Sequence, residues 1–137
     1  MDWRECFNKR IAKNINPDLD MVKSLIKTSE NKLKSEEKLV MSEVTSGSKL
    51  SLAYDSLREI LEALSLKEGY KIYNHECYTA FLKEILKESN KGHEFDEIRK
   101  IRNDVNYYGK DISIGEAEDV INRIKYLRIS ILNLLKR

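Results

Sequence analysis

Residues 50–66 read LSLAYDSLREILEALSL, and this stretch decides the fold. Its apolar residues Leu50, Ala53, Tyr54, Leu57, Ile60, Leu61 and Leu64 recur at spacings of three and four, the period of one buried helix face. No proline or glycine interrupts it, and Gly69 supplies a stop of the kind that ends helices. A small-residue break stands at Thr45, Ser46, Gly47 and Ser48, and whether the helix starts near Ser42 or after Gly47 is open.

Working outward, a short amphipathic lead carries Trp3 and Phe7. Pro17 and Asp18 then open a long helix with Leu19, Val22, Leu25, Ile26, Leu33 and Val40 on its apolar side. Beyond Gly69, Tyr70 to Tyr73 is expected to be a connector. Asn74 is an N-cap for a third helix through Tyr78, Phe81, Leu82, Ile85 and Leu86, and Asn90 to Gly92 is expected to end it. A fourth helix is expected from Glu94 through Phe95, Ile98, Ile101, Val105 and Tyr108 to Gly109. Ser113 with Glu116 three residues on forms a capping-box pattern for a fifth, through Ala117, Val120, Ile121, Ile124, Leu127, Ile131 and Leu135. The expectation is therefore an all-α chain of about five helices with no strand. Short connections between the later helices favour an up-and-down bundle.

The 137 residues suit one domain, taken as 1–137. Hydrophobic residues at 41% and charged residues at 35% give a foldable chain with a heavily charged surface. Only the lead and the last two residues are expected to be mobile. Net charge is only +2, so affinity for nucleic acid would have to come from a local patch. One basic stretch, Val120 to Arg137, carries Arg123, Lys125, Arg128, Lys136 and Arg137 without an acid, and reads first as a solvated helix face.

Cys6 and Cys77 have neither metal-site spacing nor the density of a disulfide scaffold, and are expected to be reduced thiols. Met1 to Lys13 lacks the apolar core of a signal peptide, and no stretch approaches the roughly 18 apolar residues of a membrane span. A cytoplasmic protein without membrane contact is the expectation. No metal-ligand set, glycine-rich phosphate loop or Ser-His-Asp arrangement is visible, so neither metal nor cofactor is expected.

The fourth helix holds the residues with chemistry. If its core seam is Ile98, Ile101, Val105 and Tyr108, Arg102 lies beside that seam and Asn106 one turn later on the same stripe. A guanidinium at the edge of a core needs an anion, a carboxylate or carbonyls to offset its desolvation. An internal salt bridge to a neighbouring helix is one answer. A phosphate clamp using the planar fork is the other. Lys100 and Asp104 are expected to pair on the exposed side. Tyr107 and Tyr108 either finish the core or stack on bases. His75 is expected to be a first-turn cap or surface residue, and His93 to sit exposed in a turn beside Gly92.

The run Ile101-Arg102-Asn103-Asp104-Val105-Asn106-Tyr107-Tyr108-Gly109, ending the fourth of five helices, resembles the signature of the HEPN family: arginine, a polar residue, then histidine after four to six positions. The text from Ala53-Tyr54-Asp55 through Glu68-Gly69-Tyr70-Lys71 to Asn74-His75-Glu76, and the opening Asn14 to Asp20, are similar to the same family. The resemblance implies a homodimer that cleaves RNA without metal in a cleft between subunits, arginine holding the phosphate and histidine moving the proton. Such proteins are often paired with a minimal nucleotidyltransferase in a toxin-antitoxin system. Arg102 matches the arginine and Asn103 the polar position, but Tyr107, Tyr108 and Gly109 fill the places open to histidine. Tyrosine, with a reference pKa of about 10, is a poor general base near neutrality.

Carried over residue by residue, Arg102, Asn103 and Tyr107 are the expected catalytic set, and Arg99, Arg102, Asn106 and Tyr108 the expected contacts to RNA or nucleotide. Asn103 would orient Arg102 or the phosphate. Two functions follow: a homodimer that binds RNA or nucleotide phosphate, with weak or no cleavage, or a non-catalytic helical module that docks a partner such as the nucleotidyltransferase.

Overall fold

The computed structural model describes all of residues 1–137. The all-α expectation holds: helices α1 (Trp3–Asn8), α2 (Leu19–Lys38), α3 (Ser46–Lys67), α4 (Glu76–Ala80), α5 (Ser89–Tyr107) and α6 (Ile114–Leu135) make a bundle. A π-helical turn over Phe81–Ile85 extends α4. The helix read from residues 50–66 is α3, starting at Ser46, and it is the axis of the structure, with α2 and α6 packed along it and α5 closing a further side. Packing against these neighbours explains why Leu50, Ala53, Tyr54, Leu57, Ile60, Leu61 and Leu64 are all shielded. Each such large apolar side chain contributes roughly 1.5–3 kcal/mol.

Local chemistry sets the helix starts. Asp18 Oδ1 accepts from the Met21 amide at 3.1 Å, and Ser113 Oγ accepts from the Glu116 amide at 3.2 Å, as the capping pattern requires. Asn74 Oδ1 accepts from the Glu76 amide at 2.8 Å, so Asn74 serves the start of α4 as expected.

Three expectations are corrected. The chain contains a two-stranded antiparallel ribbon, β1 (Ala12–Asn14) and β2 (Tyr70–Ile72), in the register Ala12↔Ile72, Lys13↔Lys71, Asn14↔Tyr70. Gly69, at φ +92°, makes the turn from α3 into β2, and the Ile15 amide donates to its carbonyl at 2.9 Å. The supposed connector Tyr70 to Tyr73 is thus half of a sheet, with Ala12 and Ile72 facing the core.

The break at Asn90 to Gly92 is not there, because α5 begins at Ser89 and runs through it. The chain turns earlier, where Lys87 adopts φ +58°, and Gly92 is a packing residue. A β-carbon on it would lie 2.6 Å from Lys83 Cγ and 3.2 Å from the Thr79 carbonyl oxygen.

The lead is not a loose end. Cys6 is bonded to Cys77, joining α1 to α4, where two free thiols were expected. Trp3 and Phe7 pack with Tyr70 and Phe81 in edge-on and tilted contacts. This bond withdraws the support that free thiols gave to a reducing compartment. No helix is long and apolar enough to cross a membrane.

Candidate functional site

Arg102 leaves α5 toward α3 and is held between two phenol rings. Its Cζ lies 4.9 Å from the ring centre of Tyr54 and 5.1 Å from that of Tyr107, and Nη1 donates to the Tyr107 hydroxyl at 2.9 Å. The side chain is 11% exposed. Its one carboxylate neighbour, Asp55 on α3, approaches Nη2 only to 3.9 Å, beyond hydrogen-bond range. Nε is buried with no partner. A guanidinium in this state has lost much of its hydration and gained cation–π contacts but no close counter-anion.

The charge borders a groove of about 1600 Å³ between the N-terminal part of α3 and the segment from the end of α5 into α6. Ser48, Ser51, Asn106, Tyr107 and Lys110 line it with Arg102. Asn106 Oδ1 accepts from the Ser51 hydroxyl at 3.0 Å, tying the end of α5 to α3. Tyr107 is 67% exposed, so it covers Arg102 as a flap over the surface rather than as a core residue. Tyr108 is 79% exposed, makes no side-chain hydrogen bond and does not line the groove. Of the two tyrosines expected to finish the core or stack on a base, neither is in the core.

Asn103 lies on α5 without a side-chain hydrogen bond and does not touch the guanidinium by one, so nothing in the chain has it orient Arg102. Arg99, one turn earlier, is committed: Nε and Nη2 donate to Asp96 Oδ1 at 3.2 and 2.9 Å. Burial works to raise the Asp96 carboxyl, but hydrogen bonds from Arg99 and Lys100 outweigh it and hold that group below its usual range. Lys100 pairs with Asp96 at 3.1 Å, not with Asp104 as the spacing suggested; an acid four residues before the base is the better helical orientation, and Asp104 stands on the other side.

The residue that sequence reasoning undervalued is His75. It is half-buried just before α4, and its Nδ1 lies 2.9 Å from the hydroxyl of Tyr54, the same tyrosine whose ring carries Arg102. It caps no amide. Burial depresses its pKa to about 4, with the charges of Arg58, Arg102 and Arg99 acting in the same direction and Glu62 opposing. Burial pushes the Tyr54 phenol far above its ordinary value despite the same arginines, so Tyr54 stays protonated. The only signal in the sequence was a polar Tyr54 inside an otherwise aliphatic stripe, which demands a partner for its hydroxyl. His93 is exposed as expected, but on α5, 3.5 Å from Glu97.

The C-terminal basic stretch is largely consumed by neighbours. Arg123 bonds Glu94 and Glu97 at 2.6 and 2.7 Å, and Lys125 pairs with Glu36 at 3.1 Å. Arg128 is buried, donating to Ser29 Oγ at 3.0 Å, so this face is not the plain solvated one expected. No group of three or more His, Cys, Asp or Glu side chains is placed to hold a metal ion.

No family model, no curated protein and no solved structure matches the chain.

Proposed function

We propose that the chain is a HEPN-like homodimer that binds RNA or nucleotide phosphate in a cleft between its two copies, with Arg102 as the anion clamp and with weak or absent cleavage. The observation that carries it is the state of Arg102: a guanidinium bordering a wide groove, its nearest carboxylate at 3.9 Å and its Nε without a partner. A phosphate oxygen in the groove would supply the hydrogen-bonded anion that Asp55, at 3.9 Å, does not.

Weak cleavage follows from the residue in the histidine position. Tyr107 donates or accepts a hydrogen bond but takes up a proton poorly near neutrality, and loss of such assistance is typically worth about 10² to 10⁴ in rate. An RNA ligand implies the cytoplasm, a compartment that keeps most thiols reduced, and the full burial of Cys6 and Cys77 would shield their bond there. The partner implied by the resemblance is a minimal nucleotidyltransferase, as in a toxin-antitoxin pair.

The test is Arg102→Ala, with RNA binding measured by fluorescence anisotropy and dimerisation by light scattering. Binding at least tenfold weaker in a folded dimer is the expected result. RNA ignored by both forms, or a wild-type monomer, defeats the proposal.

A second function is favoured by the stacking of Arg102 between Tyr54 and Tyr107. There the arginine is structural, and the bundle is a non-catalytic module for dimerisation or for docking the nucleotidyltransferase. Arg102→Ala then lowers thermal stability and leaves no RNA affinity to lose.

A further inference from the structure

We infer that the outer face of α6 is a contact between two copies of this chain, which pair antiparallel along Asp119, Asn122, Tyr126, Ile129, Asn133 and Lys136. It goes beyond the proposed cleft, because the Arg102 groove takes its α6 wall from Ser113 to Glu116 and this face begins at Asp119.

The six residues recur at alternating spacings of three and four, the seam that one helix offers to another. The opposite side of α6 is already buried in the core through Val120, Ile121, Ile124, Leu127 and Ile131. All six of the outer residues are exposed. Among them Tyr126 and Ile129, at 79% and 57% exposed, stand one turn apart as an apolar centre with polar residues on both sides. Tyr126 also walls a groove of about 500 Å³ between α6 and the start of α5, with Asn90, Glu94 and Ser130.

Charge and polarity select both the occupant and its direction. A two-fold axis between Leu127 and Arg128 places Tyr126 against Ile129, Asn122 against Asn133 and Asp119 against Lys136, each pair made twice. Ile129 of the second copy then enters the groove beside Tyr126. Two amides, each with donors and an acceptor, meet across the seam and hold the register. Asp119 and Lys136 have no ion pair within the chain, whereas Arg123 and Lys125 beside the seam are taken by Glu94, Glu97 and Glu36 at 2.6, 2.7 and 3.1 Å. The centre of the contact therefore carries no like-charge clash. A parallel pair would set Asp119 on Asp119 and Lys136 on Lys136, so the face complements itself in one direction only. One helix from each copy makes a small interface, and the pairing is weak and salt-sensitive. It holds the two Arg102 grooves about 30 Å or more apart along the helix axis, so a chain that also pairs across the groove closes into four copies.

The test is the mass of the full chain by light scattering and sedimentation equilibrium, over a concentration series at low and high salt. Ile129→Lys should weaken pairing by about tenfold or more at unchanged helix content and thermal midpoint. Asp119→Lys and Lys136→Asp should each weaken it, and mixing the two single variants should restore it, because both ends of the mixed pair again join lysine to aspartate. A fall from four copies to two on Ile129→Lys supports this face and leaves a second contact, as the cleft requires. A fall from two copies to one supports this face and overturns the cleft between copies. Two copies untouched by Ile129→Lys overturn this face and leave the proposed function intact. Weakening by the charge variants without rescue in the mixture overturns the antiparallel pairing. A monomer at every concentration overturns both the face and the cleft.

Discussion

The hydroxyl of Tyr107 accepts from Arg102 Nη1 at 2.9 Å while its ring lies 5.1 Å from the guanidinium carbon, so one exposed side chain both satisfies and screens the charge beside the groove. Two substitutions separate those roles. Tyr107→Ala removes a contact worth about 0.5–1 kcal/mol and opens Nη1, so RNA should bind roughly two- to fivefold tighter in an anisotropy titration. Weaker binding would mean that the tyrosine itself contacts the ligand. Tyr107→His places an imidazole at that position and should raise ribonuclease turnover on a labelled RNA. No gain would show that more than the proton acceptor is missing.

The depressed pKa of His75 makes stability depend on pH. In the unfolded chain the imidazole takes a proton near its ordinary value of about 6.5, whereas in the native state it does so only near about 4. Between those values the unfolded state binds more protons, so stability falls as pH drops from 6.5 to 4 and is flat above that window. Discounted for the partial exposure of the ring, the full extent is on the order of 1–2 kcal/mol. Urea unfolding at pH 7.0 and at pH 4.5 should show the loss, and His75→Gln should remove most of it, because the Asp96 contribution is lost only below the ordinary carboxyl value of 3.8. A wild type equally stable at both values contradicts the buried, neutral imidazole.

The Cys6–Cys77 bond closes a loop with a sequence separation of 71, for which the chain-entropy account gives about 4 kcal/mol. Both sulfurs are fully buried, so a reductant acts only after α1 lifts away. Mass spectrometry after alkylation in denaturant should find no free thiol in protein purified without reductant. Prolonged reduction should shift the urea midpoint down. Unchanged unfolding with the bond demonstrably open would show that the aromatic packing of Trp3 and Phe7 holds the lead unaided.

Lys49 ends α2 although it belongs to α3. Its Nζ donates to the carbonyls of Glu36 and Leu39 at 2.6 Å each and pairs with Glu36 Oε1 at 3.2 Å. Lys125 reaches the other oxygen of Glu36 from α6. Breaking a buried pair on one side costs about 3–5 kcal/mol, since it strands the partner charge. Lys49→Met should fall in or just below that range by urea denaturation, given the remaining Lys125. The double variant Lys49→Met with Glu36→Gln should recover part of it, and full additivity would contradict the coupling.

What the sequence made legible was whatever depends on local periodicity. The stripe of α3, the Asp18 and Ser113 caps and the run of α6 are set by neighbours three or four residues away, and they stand where expected. The ribbon was hidden because β1 and β2 are three residues each and meet only after α3 reverses the chain. The cysteine pair was hidden for the same reason. At the candidate site, Arg102 beside the seam was readable, and so was the place of Asn106 on its stripe. The partner of Arg102 was not, because Tyr54 and Asp55 approach from another helix. His75 was misjudged because a first-turn histidine looks alike whether it caps an amide or serves a buried phenol.

Gly92 and Gly115 offer opposite outcomes for the same substitution. Both lie in helices, where alanine is intrinsically favoured over glycine by about 1 kcal/mol. At Gly115 a β-carbon meets nothing within 4 Å, so Gly115→Ala should stabilise by a few tenths of a kcal/mol, somewhat less than the interior value because the site is in the first turn of α6. At Gly92 the same atom would be 2.6 Å from Lys83 Cγ and 3.2 Å from the Thr79 carbonyl oxygen. The lysine can swing aside, but the carbonyl belongs to α4 and yields only if the two helices part. Overpacking of that kind costs about 1–3 kcal/mol and outweighs the propensity gain, so Gly92→Ala should be destabilising by thermal and urea unfolding. If instead it stabilises as much as Gly115→Ala, then α5 does not approach the start of the π-helical turn this closely, and Gly92 is an ordinary interior glycine of α5.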